Sequence, residues 1–248
     1  MRVLGIDTAT PIASVALVEN EKLIAEDFHA PVTTDRREFP VQSKGNHAEI
    51  IVPLIQALLE RTQITLGDLS GLAISIGPGS FTGLRIALAT VKGMAYESGL
   101  PVIGVSTLHA NAARVSDAEG VVCSMLDARK QEVYAACFRR RDQSLTRLCA
   151  DQCCSIYTAI DMMREHGIAG GIAIGDGAKV YEKLLVDAFG AELRLSAGRE
   201  YSTIAAHVAM LSLARLADSS ADDIGALSPL YLRPSEAEKK RTNSTLTC

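Results

Sequence analysis

Residues Ile76–Arg85 read IGPGSFTGLR, three glycines and a proline followed by an amphipathic run. The segment follows the apolar run Leu72–Ile76 and opens a helical pattern that lasts to about Ser98. It is therefore a strand-to-helix turn. Such a turn can hold phosphate, because unpaired amides at a helix N-terminus favour an anion and glycine lets backbone approach a ligand closely. Both standard phosphate motifs fail here. A P-loop needs Lys after its last glycine, and Leu84 follows Gly83. A dinucleotide fingerprint is met at Gly77 and Gly79 but broken at Thr82. Two readings stay open. Gly77, Gly79 and Ser80 form a weak anion site, or the stretch is a conformational turn in which Ser80 or Thr82 caps the helix.

Upstream, Val3–Asp7, Ala13–Val18 and Lys22–Asp27 carry strand patterns, the last two joined closely enough for a hairpin. Thr33–Gly45 reads as a loop. A helix starts near Asn46, with Glu49 in capping-box position and Ile51, Leu54, Ile55, Leu58 and Leu59 on one face. Pro53 is expected to kink this helix or shift its start. Downstream lies a further apolar run, Val102–Val105. The strands flanking the glycine turn must be parallel to a neighbour, since helical crossovers join them.

The order then recurs. Strand patterns at Val121–Asp127, Glu132–Arg139 and Leu145–Cys149 precede a helix at Ile156–His166. A strand at Gly171–Ile174, a helix at Lys179–Ala188 and a short strand at Leu193–Leu195 follow. Asp7 and Asp127 occupy equivalent places in the two series. Thr203–Ala217 reads as a largely buried helix, Leu227–Leu232 as a short apolar segment, and the polar tail from Ser235 as mobile.

The 248 residues are 48% apolar and only 4% aromatic, without Trp, so a core of Ala, Val, Ile and Leu is expected. Net charge is 25 minus 29, or −4, which disfavours unaided nucleic-acid binding. The short basic clusters Arg139–Arg141 and Lys239–Arg241 read as solvated surface. No leader is visible and no apolar run reaches membrane-spanning length, which points to the cytoplasm. There the six cysteines are expected as free, mostly buried thiols, because C-x3-C-C at Cys149–Cys154 lacks zinc spacing. By the same token Asn243-Ser244-Thr245 is a glycosylation sequon in form only. The histidines are scattered, and neither H-E-x-x-H nor G-x-S-x-G occurs. Gly83, Ala87, Thr90 and Gly93-Met94 make a stripe of small residues that suits close helix packing, within the chain or against another.

Four segments, LGIDTAT, NHAEIIVPLIQALLE, ISIGPGSFTGLRIALATVKGMA and LPVIGVSTLHANA, together resemble the TsaB (also called YeaZ) family. The closing SPLYLRP is similar as well, while residues 117–223 match more loosely through DAR and GDG. The resemblance implies an α/β fold of the actin/hexokinase/Hsp70-like (ASKHA) kind, with two ribonuclease-H-like lobes. The expected division is 1–112 with 203–232, then 113–202, then a tail at 235–248. It also implies a subunit for threonylcarbamoyladenosine synthesis in tRNA. Such a subunit binds its paralogue TsaD, works with the ATPase TsaE and ATP, and meets tRNA only through the complex; alone it can pair with itself. TsaD carries metal histidines where Thr107 and Asn111 stand here, so the resemblance implies no catalytic residue, metal or cofactor. His47 matches a different, non-metal position, and His109, between Thr107 and Asn111, would point elsewhere on a helix. Expected partner-binding residues are His47, Ile51, Leu54 and Leu58 on the first helix and Gly83, Ala87, Thr90 and Met94 on the second. The alternative is a self-sufficient ATP-dependent kinase or ATPase, or a peptidase, using Asp7, Thr8 and Asp127 with Gly77, Gly79 and Ser80.

Overall fold

The computed structural model describes residues 1–30, 47–142, 144–198 and 201–233, with only the backbone of His47 and Ala48. The Thr33–Gly45 loop, the Asn46 cap and the tail from Ser235 lie outside them.

β1 (Arg2–Asp7), β2 (Ala13–Glu19) and β3 (Lys22–His29) form an antiparallel meander that sets Asp7 opposite Ser14. Asn20 and Glu21 both take positive φ, as a two-residue hairpin requires. α1 (His47–Thr62) leads to β4 (Gly71–Gly77), and α2 (Phe81–Ser98) leads to β5 (Val102–Ser106). Both strands are parallel to β1, giving the order β3-β2-β1-β4-β5. Pro53 does not end α1, which runs unbroken through it. The lost bond is confined to the carbonyl of Glu49, near the helix start.

α3 (Thr107–Ala113) follows β5 directly, an element the sequence reading does not separate. β6 (Gly120–Arg129), β7 (Glu132–Arg141), β8 (Ser144–Arg147) and β9 (Gln152–Ser155) then build the second meander. The expected strand Leu145–Cys149 corresponds to β8, and β9 is a further strand the sequence reading does not give. β8 pairs with Phe138–Arg141 and β9 with Glu132–Ala135. Between them Asp151 turns away to accept a hydrogen bond from Ser106 at 2.6 Å. α4 (Ile156–Glu165), β10 (Ile172–Ile174), α5 (Asp176–Val180), α6 (Glu182–Phe189) and β11 (Arg194–Ser196) complete the series. The helix expected at Lys179–Ala188 starts earlier and is broken at Tyr181. The second sheet runs β11-β10-β6-β7-β8, with β9 also on β7. Its order repeats the first sheet, β6 standing for β1.

The core lies in layers. α1 and α2 cover one face of the first sheet, packing Ile51, Leu58, Ala87 and Val91 on Leu4, Ile6, Leu72 and Ile74. Each such buried Leu or Ile contributes about 1.5–3 kcal/mol. α7 (Ile204–Ala217) covers the other face against Val3, Val18, Ala73 and Ile103. It approaches so closely that a Cβ on Gly5 would lie 2.1 Å from the carbonyl oxygen of Ala205. α3 packs on α7 and on β6, so the two helices stand between the sheets.

Candidate functional site: the cleft and the outer helices

Asp7 closes β1 and faces a cavity of about 370 Å³ between the two halves. Only 1% of it is exposed. Burial raises its pKa to about 6, against the opposing pull of Ser75, the Ala9 N–H and Arg114. Asp176, at the start of α5, faces the same cavity. Burial also raises it to about 6, helped by the negative charge of Asp127. One carboxylate oxygen of Asp176 accepts from the amides of Asp127 at 3.1 Å and Gly177 at 2.9 Å. Asp127 itself does not line the cavity; its carboxylate accepts from the Arg129 amide at 2.9 Å. The residue that carries the second carboxyl is thus Asp176, not the sequence equivalent Asp127. The signal was the GDG triplet, whose flanking glycines let the turn press against β6.

Asn111 joins the halves. Its amide donates to Ser124 Oγ at 3.0 Å and to the Ile174 carbonyl at 3.2 Å, and its oxygen accepts from Arg114 at 3.0 Å. Thr107 is completely buried at the start of α3. His109 stacks on Phe138 at 5.3 Å, and burial, with Arg147 beside it, lowers its pKa. A hydroxyl and an amide are poor ligands for a transition metal, and Asn111 is bonded within the fold. The pair therefore does not fit a metal centre. Among the described residues no three His, Cys, Asp or Glu side chains gather closely enough to hold an ion.

The glycine turn is closed. Ser80 N donates to the Ala9 carbonyl at 2.7 Å, and Ser80 Oγ accepts from Gly83 N at 3.2 Å as the N-cap of α2. A Cβ on Gly79 would sit 2.3 Å from the Ala9 oxygen, and Gly77 has φ of 112° with Leu230 across it. Thr8 is buried and donates to the Gly83 carbonyl at 2.8 Å. Gly77, Gly79, Ser80 and Thr8 thus hold strand to helix and do not line the cavity. The anion reading of this turn gives way to the conformational one, because Ala9 takes the Ser80 amide and Ala9 and Leu230 fill the space beside Gly79 and Gly77.

The outer helices also need a correction. Ile51, Leu58 and Ala87 are buried in the chain's own core, and Gly83 is buried as well. Leu54, Thr90 and Met94 are only half-buried, and the His47 side chain lies outside the description. The exposed line on α2 is instead Thr82, Ala89, Gly93 and Tyr96, the last 92% exposed. The period was legible, but its phase was not: every third or fourth small residue fits either face.

The five described cysteines are free thiols. Hydrogen bonding to Cys123 pushes the Cys137 thiol well up, and bonding to Cys137 does the same for Cys149. Cys137 and Cys149 are therefore held in the protonated, less reactive form. No helix among the described residues is long and apolar enough to cross a membrane.

Two meander-and-crossover sheets around a cleft, with one Asp at the end of each half, define a two-lobed protein of the actin/hexokinase/Hsp70-like class. Residues 38–240 match the family model described as TsaD: tRNA N6-adenosine threonylcarbamoyltransferase. The tRNA threonylcarbamoyladenosine biosynthesis protein TsaB of Bacillus subtilis is 26% identical over 240 residues, 97% of either chain. TsaB of Escherichia coli is 37% identical over 147 residues, 58% of either chain. The solved structure of YeaZ from Pseudomonas aeruginosa superposes with a TM-score of 0.72 at 23% identity, covering 93% of this chain and 99% of that one. The chain belongs to this family and, with these relatives, to its TsaB (YeaZ) members.

Proposed function

We propose that this chain is a non-catalytic subunit of threonylcarbamoyladenosine synthesis that binds TsaD through the outer faces of α1 and α2. In this reading it supports TsaD, together with the ATPase TsaE, in moving threonylcarbamoyl from its adenylate to tRNA adenosine. The observation that carries the reading is the pair Thr107 and Asn111: residues unsuited to a metal stand where the resemblance expects histidines, and Asn111 is bonded within the fold. The docking face is drawn from the exposed line Thr82, Ala89, Gly93 and Tyr96, with half-buried Leu54, Thr90 and Met94 beside it. A Cβ on Gly93 would meet nothing within 4 Å, so a partner helix can come close there. In the absence of TsaD the same face suits self-association.

Gel filtration with purified TsaD tests this. Gly93→Arg and Ala89→Arg, both on the exposed line, abolish the complex while circular dichroism and melting stay those of the parent. If both variants co-elute normally with TsaD, the proposed face is wrong. A second reading, a self-sufficient ATP-dependent enzyme, draws on one observation: the cleft carboxyls of Asp7 and Asp176 titrate near 6, in the range of a general acid or base. Calorimetry with ATP and Mg²⁺ on TsaD-free protein separates the two, since tight binding with turnover supports only the second.

A further inference from the structure

Residues 222–233 cross from the first half of the molecule to the second, and the two ends of this segment are held by different means. We propose that it is a strap between the halves whose far end, Arg233, is a releasable latch: when Arg233 lets go, the halves pivot about α3 and part at the ends of β4 and β6.

Three observations carry this. The first is the path. Asp222 N donates to the Val102 carbonyl at 2.9 Å, at the edge of the first sheet, and Leu227 lies over Gly104. Leu230 N donates to the Ile76 carbonyl at 2.6 Å, and Tyr231 stacks on Phe81. Arg233 then reaches the second half, donating to the Ala128 carbonyl at 2.9 Å and pairing with Glu132 at 3.0 Å. The second is the side of the molecule. Ser106 and Asn111, at the start of α3 and within it, bond to Asp151, Ser124 and Ile174 of the second half. α3 packs with α7 on one face of the first sheet. Ile224 and Leu227 of the strap pack with α1 and α2 on the other face. Ties on opposite faces resist a hinge motion that either tie alone would allow. The third is the contrast between the two ends. The near end is seated by main-chain bonds, aliphatic contact and a ring pair. The far end is held by a charged side chain, in a pair whose Glu132 is 39% exposed and so only partly shielded from water and salt. That side chain spans the turn 129–131, where Arg129, Lys130 and Gln131 take φ of 62°, 55° and 61° in succession. Non-glycine residues keep such a conformation only where their surroundings fix it. Arg233 fixes both flanks, Ala128 before the turn and Glu132 after it. Its release frees the turn and the end of the strap together.

The test uses the full chain without a partner, so its outcome is independent of TsaD docking. Amide residual dipolar couplings are measured for each half. The parent is expected to give one alignment tensor that fits both. Arg233→Ala removes the latch, and Glu132→Lys sets a like charge against it. Each should lose the common tensor, the halves fitting only separately, and should quicken exchange of the Arg129 amide, which donates to Asp127. The Leu230 amide should keep its protection in both variants, because the near end stays seated. Glu132→Lys changes a partly exposed side chain, so it serves even if Arg233→Ala does not fold. The proposal is overturned if either folded variant keeps the parent's common tensor, or if the parent already needs two. Loss of Leu230 protection along with the latch overturns it too, since the strap would then have no separately releasable end.

Discussion

The β4–α2 turn and the β10–α5 turn are the same device in the two halves, and they are put to different uses. In the first, Gly77–Ser80 folds onto Ala9 and is crossed by Leu230. Its polar residue, Ser80, turns back to cap its own helix. In the second, Gly175–Gly177 presses just as hard on β6, but its polar residue, Asp176, faces the cavity. Glycine content does not tell an open turn from a sealed one. The side chain between the glycines and the segment packed over them decide it.

The largest effects test the close approach common to both turns. A Cβ on Gly175 would lie 2.1 Å from the Met125 oxygen, at φ of 119°, and one on Gly79 would lie 2.3 Å from the Ala9 oxygen. Gly175→Ala and Gly79→Ala should each cost about 3 kcal/mol or more in denaturant unfolding, from overlap with a backbone atom added to backbone strain. Gly93→Ala, in open space on a helix, should instead stabilise by about 0.5–1 kcal/mol. Equal, small effects at all three positions would mean that the turns are slack.

Next come the two carboxyls. An acid whose pKa rises from about 4 in the unfolded chain to about 6 in the fold binds its proton more tightly when folded. Its contribution is complete below pH ~4 and is lost as pH rises through ~6, a change of about 3 kcal/mol for Asp7. Asp7→Asn should therefore be more stable than the parent at pH 8, by up to that amount, and lose this advantage near pH 4. His207 acts in the opposite sense. Burial, with Arg114 and Arg140 nearby, lowers it to about 4, so its contribution is present above ~6.5 and lost as pH falls. In the Asp7→Asn/Asp176→Asn double variant, urea midpoints should fall steadily between about pH 6.5 and 4, because the compensating carboxyls are gone. A flat profile there would remove the case for buried titration at His207.

How much of this was legible in the sequence follows from range. The strands and helices of the first half appear in local period, since each buries one face on a single sheet. The repeat was legible because element order survives even where side chains differ. β9 was missed, because it is four residues long and is fixed by pairing with Glu132–Ala135, about 20 positions away, rather than by a local pattern. The cleft was half legible. Asp7 could be picked out, but its equivalent was sought at Asp127 by strand position, whereas the cavity selects Asp176 from a different strand end. Helix phase was the other loss: Gly83 and Ala87 belong to the stripe by spacing, yet Thr8 and the first sheet claim them.

Smaller effects sharpen what seals the first turn. Ser80→Ala removes the cap and should cost about 1 kcal/mol, with no counterpart at Asp176→Asn, whose oxygen still accepts. The smallest concerns the segment laid over the turn. Leu230 N donates to the Ile76 carbonyl at 2.6 Å, and Tyr231 stacks on Phe81 at 4.8 Å while its hydroxyl accepts from Arg85 at 2.8 Å. Tyr231→Phe keeps the ring and loses only the exposed hydroxyl, so it should cost less than about 1 kcal/mol. Tyr231→Ala should cost more, through lost ring contact with Phe81 and Arg85. If hydrogen exchange at Gly79 and Ser80 quickens in Tyr231→Ala but not in Tyr231→Phe, stacking rather than the polar bond keeps the turn shut. Should neither variant change it, Ala9 alone seals the turn and the closing segment merely rests on it.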